Sequence, residues 1–316
     1  MANKKLKIAF LNKYQGEVAR GAETFVEEVG KRLSKKHQVD IVSNINYFKL
    51  LRSKYDIIVP TNGRFQVFIT RIISWLSGAR MIVSGQSGAG LDDRLNLYAF
   101  PDVFVALSSY QRSWAKKINP FVATDKIPNG VDLAKFSQKI SKRAANSKAV
   151  LAVGAFTKEK RHELTIKAVS KLSGVKLIVL GGGGNQREKI EKLGNELLGR
   201  ERFQTDSVPF KDIPKFYELA DLFVFPTVPW ESFGIVLTEA MASGLPVVAT
   251  DDPIRREIVG NAGILVDPTD TDAYANALEK ALNTKWGDKP RKQAEKFSWD
   301  KIAKEYEKLF LKLANE

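Results

Sequence analysis

Two glutamates eight positions apart, Glu231 and Glu239, bracket Ser-Phe-Gly and an apolar run in the stretch ESFGIVLTEA. On one continuous helix the pair would sit roughly 80° apart in azimuth and about 12 Å apart along the axis, too far to share one ligand atom. A loop carrying Glu231 and a helix opening near Gly234 changes the geometry: Glu231 then lies outside the N-terminus and Glu239 just over a turn inside. The unpaired N–H groups of Gly234, Ile235 and Val236 would face whatever Glu231 and Ser232 face, with Phe233 between them, and a helix N-terminus of this kind is an anion site. A lone helical glutamate is usually solvated, but the flanking Leu237, Ala240 and Met241 weaken that reading for Glu239, and a buried carboxylate would need a hydroxyl or cationic partner.

Three cations stand where they could meet the same anion. VGAFTKEKRHELTIKAV (153–169) sets Lys158, Lys160 and Arg161 after a strand and at the entry of a helix, a place for a pyrophosphate and equally a place for solvated lysines. The run GGGG (181–184), with Gly182 inside it, separates VKLIVL from NQREKIEKL, where a backbone closely approaches a phosphate or a helix. GEVARGAETFVEEV (16–29) places Gly16 and Gly21 in the same position of the first half, where a flexible turn explains them as well. His162 reads as a capping or solvated residue and His37 as part of a polar turn. Neither has partners spaced for a metal, and with no cysteine a Cys/His zinc site and a disulfide framework are excluded.

The elements that position these residues follow a βαβ rhythm: KIAFLN, QVDIVSN, DIIVP, RMIVSG and VFVALS alternate with helical segments, and a second cycle runs through AVLAVGAF, VKLIVLGGGG, DLFVFPT, LPVVATD and GILVD. The polar, basic SQKISKRAANSKA (137–149) reads as a linker. The expected organisation is α/β, two Rossmann-like doubly wound domains at 1–140 and 141–297, with an amphipathic helix at 298–316 that repeats Ile302, Tyr306, Leu309, Phe310 and Leu313 at helical spacing. Ligands of such folds sit at the carboxyl ends of the strands.

With 44% hydrophobic and 27% charged residues the chain can bury two cores, so it is not a disordered chain. Its net charge of +14 lies entirely in residues 1–150, which hold 25 Lys and Arg against 11 Asp and Glu, whereas residues 151–316 balance at 25 each. Such asymmetry points to an anionic partner of the first half, a membrane surface, a phosphorylated acceptor or a nucleic acid, beside the plainer reading of a solubilising lysine-rich surface. The aromatic stacking pattern of a single-strand reader is missing, so no nucleic acid is expected. RFQVFITRIISWLSGAR (64–80) mixes apolar residues with arginines and reads as a core helix with basic ends ahead of an interfacial one. The N-terminus runs from a basic start into the first strand without a signal or spanning segment, so the expected location is cytoplasmic, with peripheral contact to the inner face of an anionic membrane through the basic half.

The combination of the Glu231 and Glu239 pair with Phe233-Gly234 between them, EAMASGLPVVAT after it, IPNGVD at 127–132, Lys160 and the terminal FSWDKIAKEYEKLF resembles family 4 of the retaining glycosyltransferases, which have the GT-B fold. The resemblance covers essentially the whole chain. It implies two domains facing across a cleft, donor binding in the second, acceptor binding in the first, and a last helix that crosses back to the first. By matching position, Glu239 would bond the ribose of a nucleotide-sugar, Glu231 the transferred sugar, and the backbone at Gly234 to Val236 the phosphates. Lys160 would neutralise the pyrophosphate and Gly21 would let the first-domain loop approach it. A metal is not expected, since lysine and helix dipole replace the cation; the doublets Asp92-Asp93 and Asp251-Asp252 are not metal motifs by themselves. The chain departs from the family pattern at Gly154-Ala155-Phe156, where the family commonly has Gly-Arg-Leu, and Lys158 or Arg161 stands in for the arginine. Gln86 in SGQSG takes the place of a histidine and bonds without shuttling protons near neutral pH. Thr205 and Ala22 replace glycines. The implied activity is transfer of a sugar to an acceptor hydroxyl, lipid-linked or on a cell-surface polysaccharide precursor. The alternative is a catalytically silent nucleotide-sugar or glycan binder of the same fold.

Overall fold

The computed structural model of the chain describes residues 4–16, 21–137 and 148–316. The polar stretch expected as a linker lies mostly outside them. Two compact units form, one of Met1–Gly130 with Phe297–Glu316, the other of Val131–Lys296.

The first unit is a six-stranded parallel sheet of β1 (Lys7–Leu11), β2 (Gln38–Val42), β3 (Ile57–Pro60), β4 (Arg80–Ser84), β5 (Val103–Ala106) and β6 (Thr124–Lys126), ordered β2-β1-β3-β4-β5-β6. The order reverses at β1, so its switch point lies between β1 and β3. β3 and β5 are apolar and buried along their whole length, as strands covered on both faces must be. The helix Trp299–Leu313 belongs to this unit and buries Ile302, Tyr306, Leu309, Phe310 and Leu313. Tyr306 packs its ring, tilted by 53°, 5.2 Å from that of Phe25 and places its hydroxyl 3.1 Å from Ser84 Oγ.

The second unit repeats the plan with β7 (Lys148–Val153), β8 (Val175–Leu180), β9 (Phe203–Asp206), β10 (Leu222–Phe225), β11 (Val247–Thr250) and β12 (Gly263–Val266), ordered β12-β11-β10-β7-β8-β9, all parallel. Here the order reverses at β7, and the switch point falls between β7 and β10. The unit starts ahead of residue 141 because Arg291 fastens the preceding segment to it, donating to the carbonyls of Leu133 (2.8 Å), Phe136 (2.6 Å) and Ala242.

Burial refines three expectations. The helix Arg64–Ser77 sets Val67 and Ile73 into the core, as a core helix does, but leaves Phe65, Phe68, Ile72, Trp75 and Leu76 exposed on its other face. His37 lies in the turn that precedes β2, as expected, and is buried there, accepting from the Leu6 N–H at 3.2 Å through Nδ1. His162 is buried too, with Nε2 3.3 Å from the Gly154 carbonyl, and burial pushes its imidazole down to about 4, so it is neutral at physiological pH.

Candidate functional site

The residues singled out in the second unit gather at its switch point. β7 ends at Val153, the chain turns through Gly154 into a short 3-10 turn, Lys158–Lys160, and Lys160 reaches back so that its stem lies over Gly154. β10 ends at Phe225 and is followed by a loop that carries Glu231. Lys160 Nζ donates to Glu231 Oε2 at 2.9 Å, joining the two strand ends on either side of the reversal. Both side chains are about one-fifth exposed, so the pair remains open to a ligand and contributes little to stability by itself.

The helix Ile235–Ala242 opens directly after this loop, with Glu231 outside it and Glu239 inside. Its cap is Gly234 at φ +82°, which makes no side-chain cap hydrogen bond to the first N–H groups. Glycine is required there on two counts: the left-handed backbone, and a Cβ that would come 2.7 Å from the Phe225 ring. The same ring lies 5.6 Å below Lys160 Nζ. Phe225 therefore carries the ammonium and the uncapped helix start on one aromatic support, and both concentrate positive potential there. Two buried hydroxyls of the loop, Thr227 Oγ1 and Ser232 Oγ, have no hydrogen-bond partner among the described residues. Buried polar atoms are seldom left so unless a ligand or water completes them.

Glu239 is fully buried and takes a hydrogen bond from Tyr217 Oη at 2.9 Å. Burial pushes its carboxyl up to about 7; the Tyr217 bond and the charge of Lys135 pull the other way. Tyr217, on the helix Ile213–Leu219, is the hydroxyl partner that a buried Glu239 demanded, and nothing in its local sequence marks it. Its own phenol is held well above the ordinary range, by burial first and by the neighbouring Glu239.

The loop is fixed from below. Arg255 is completely buried and donates from Nε to Asp252 (2.7 Å), from Nη1 to the Glu231 carbonyl (2.7 Å) and from Nη2 to the Pro229 carbonyl (2.8 Å). Asp252 meanwhile caps the helix Pro253–Val259, accepting from the N–H groups of Ile254 and Arg255. An Asp followed by Pro is a readable cap signal; the clamp on Glu231 is not, because its acceptors are carbonyls more than twenty residues away.

Other expected residues are placed differently. Arg161 sits at φ +49° and commits Nε to the Pro226 carbonyl (2.7 Å) and Nη2 to the Thr227 carbonyl and Thr250 Oγ1 (3.2 Å), so it straps strand ends together rather than pointing free into the site. Lys158 is exposed at the start of the 3-10 turn. Of the glycine run, Gly184 is required by the fold itself, since at φ +94° a Cβ would lie 2.2 Å from the Phe156 carbonyl oxygen; Gly182 is exposed, with only Ser207 near. Thr205 bonds Glu191 at 2.9 Å.

In the first unit Gly21 begins the exposed end of the helix Gly21–Leu33, and residues 17–20 of its loop lie outside the described ones. Gln86 follows β4 and gives Nε2 protons to Ser84 Oγ (2.9 Å) and Asn129 Oδ1 (3.1 Å), while its Oε1 accepts from Asn129 Nδ2 (2.9 Å). Both amide protons are committed, so Gln86 has none to offer an incoming group and acts as a brace between two loops. The loop after β4 is also held by Asp93, buried and pushed up to about 7 by that burial, which accepts from Asn96 (3.1 Å) and Gln111 (3.0 Å).

The sequence model of the family described as glycosyl transferases group 1 matches residues 134–298, just over half of the chain and all of the switch-point residues above. The chain belongs to this family. The chain is 35% identical over 173 residues to an uncharacterized glycosyltransferase of Methanocaldococcus jannaschii, covering 51% of this chain and 44% of that protein. It is 32% identical over 185 residues to a phosphatidyl-myo-inositol mannosyltransferase of Mycolicibacterium smegmatis, covering 55% and 46%. It thus matches less than half the length of these curated relatives. Among solved structures it superposes on Anabaena HepE in complex with UDP and glucose, with a TM-score of 0.81 at 18% identity, covering 96% of this chain and 99% of that one. The likeness to sucrose-phosphate synthase of Thermosynechococcus elongatus has a TM-score of 0.82 at 20% identity, covering 98% and 99%. Two parallel six-stranded Rossmann-like sheets with this likeness give the chain the GT-B fold.

Proposed function

We propose that the chain is a retaining, nucleotide-sugar-dependent glycosyltransferase of family 4 that moves a hexose to an acceptor hydroxyl. The observation that carries this reading is the convergence of the Lys160 ammonium, the Glu231 carboxylate and an uncapped, glycine-started helix N-terminus on Phe225. A nucleoside diphosphate sugar has a complementary group for each: diphosphate for Lys160 and the N–H groups of Gly234, Ile235 and Val236, sugar hydroxyls for Glu231, and ribose hydroxyls for Glu239. The UDP and glucose held by HepE support a donor of this class.

In the reaction the bond from the anomeric carbon to the diphosphate breaks and the acceptor oxygen bonds to the same carbon on the same face. The departing phosphate oxygen takes the acceptor proton, so no protein nucleophile is required. Charge grows on that phosphate as the bond breaks, and a fixed ammonium and helix N–H groups stabilise it without reorganising. Lys160 exchanges its partner Glu231 for the diphosphate, which frees Glu231 for the sugar. These groups supply the positive charge a divalent ion would, and the transfer is proposed to run without one. The mycobacterial relative's name supports a lipid-linked acceptor, met by the first unit.

Incubation with nucleotide-sugars and candidate acceptors tests the reading through release of nucleoside diphosphate. Release that depends on acceptor supports it; a protein that binds a donor and never releases nucleotide with any acceptor is a binder, and the transfer reading fails.

A further inference from the structure

The first unit has a cavity of about 630 Å³ at the amino ends of its strands. Asp56 precedes β3, Arg80 begins β4 and Asp102 precedes β5, and all three line it. Gln86 lies at the opposite edge of the sheet, beyond the five residues of β4, about 16 Å of extended chain. The cavity is therefore separate from the crevice at the carboxyl ends of the strands, where ligands of such sheets sit. Its size is that of a small-molecule site.

The charges of its wall cancel in pairs. Arg71 and Arg80 meet Asp102 at 2.7 and 3.4 Å, and Lys4 meets Asp56 at 3.5 Å. Exposed Lys54 and Glu316 add one charge of each sign to the lining. Guanidinium and ammonium groups only donate and carboxylates only accept, so the wall offers both kinds of partner side by side with little net field. A phosphate is held by cations free to meet it, and here most of the cations are committed to carboxylates. A hydroxyl both donates and accepts, and it suits such a wall.

Trp75, in the last turn of the helix Arg64–Ser77, adds an apolar surface to this polar wall. The Arg71 guanidinium lies 4.8 Å from the centre of its ring, and Asp102 holds Arg71 in place. The indole is thereby fixed from one side, yet the residue stays 66% exposed, so its other face is uncovered. A fixed indole beside paired donors and acceptors matches the two surfaces of a pyranose, an apolar C–H face and a rim of hydroxyls. We propose that this cavity is a non-catalytic glycan site that takes one neutral pyranose of an oligosaccharide, its C–H face on Trp75 and its hydroxyls on Arg80, Asp56 and Asp102. The site forms and breaks no bond. It holds a glycan on the protein, and the inference does not rest on the transfer reaction.

Saturation-transfer NMR on the full chain with maltotriose, cellotriose, mannotriose and tri-N-acetylchitotriose tests it. At least one of these is expected to receive saturation, strongest on the C–H protons of a single ring, and to give a Kd on titration. Trp75→Ala weakens that binding about tenfold or more, and Trp75→Phe restores most of it. Lys160→Ala, which alters the donor site, leaves it unchanged. Trp75 is exposed, so its substitutions leave the melting temperature as in the parent. No binding of any of these sugars, or equal binding by Trp75→Ala, overturns the proposal. Loss of the signal in Lys160→Ala does the same by placing the sugar in the donor site. Tighter, Trp75-dependent binding of glucose 6-phosphate than of every neutral trisaccharide makes the cavity a phosphate site and also overturns it.

Discussion

Arg255 holds the main-chain carbonyl of Glu231 at 2.7 Å from a position with no solvent exposure. The residue that meets Lys160 is thus set by a guanidinium that does not face the ligand side at all. Arg255→Ala leaves Asp252 buried without its cation and two carbonyls without donors, so a loss of about 3–5 kcal/mol is expected in urea denaturation. Asp252→Asn with Arg255→Gln removes the charges together and recovers part of that stability. Transfer stays impaired, because the Pro229 and Glu231 carbonyls are still released; the loss appears mainly in kcat, while melting lies between that of Arg255→Ala and the parent.

Lys160→Ala and Glu231→Gln separate chemistry from stability. The partners are partly exposed, so the pair is worth about 1 kcal/mol or less, and melting changes little. Transfer is expected to fall by about 10²–10³ for Lys160→Ala, the size of losing one fixed electrostatic stabiliser. Equal loss of folding and activity would make the ion pair structural.

Gly234→Ala tests the helix start. The substitution forces a left-handed backbone on alanine and drives its Cβ into the Phe225 ring, and a cost of about 1–3 kcal/mol is expected from the strain. Donor affinity falls in the same variant because Phe225 supports both the N–H groups and Lys160. Retained donor affinity would separate the helix start from phosphate binding.

Much of this was legible in the sequence and some was not, for physical reasons. The interior strands announce themselves as apolar runs because both of their faces are covered. β6 (TDK) and β9 (FQTD) pass unnoticed because they are edge strands with polar residues. The loop-then-helix reading of ESFGIVLTEA rested on a glycine whose φ the structure shows to be positive. Side-chain partners joined through space were invisible: Tyr217 to Glu239, Arg255 to Glu231, Asn129 to Gln86. Charge alone also misleads, since Arg161 has the composition of a phosphate ligand and the bonds of a strap.

The Glu239 carboxyl gives a pH signature. Its folded pKa of about 7 stands above the ordinary 4.5, so the folded chain holds the proton more tightly than the unfolded one. This contribution to stability is complete below pH 4.5 and is lost as pH rises through 7, roughly 3 kcal/mol in all. Tyr217 and Lys135, the groups that face it, both favour the ionised form and limit the loss. Asp93 titrates in the same direction, so the Glu239 share is the difference between the parent and Glu239→Gln in urea midpoints at about pH 5 and about pH 8. Ribose hydroxyls donating to Glu239 favour the carboxylate, so donor binding tightens over the same interval in the parent and not in the variant.

We infer that the β7/β10 switch point binds a nucleoside diphosphate sugar. A thermal-shift screen of nucleotide-sugars, made without divalent ions and with EDTA present, tests it most directly, since a ligand at a hundred times its Kd adds roughly 2.7 kcal/mol. One donor class is expected to raise the melting temperature of the parent, much less that of Glu239→Gln, and not that of Lys160→Ala. No stabilisation by any nucleotide-sugar, or the same stabilisation in all three proteins, would contradict the account.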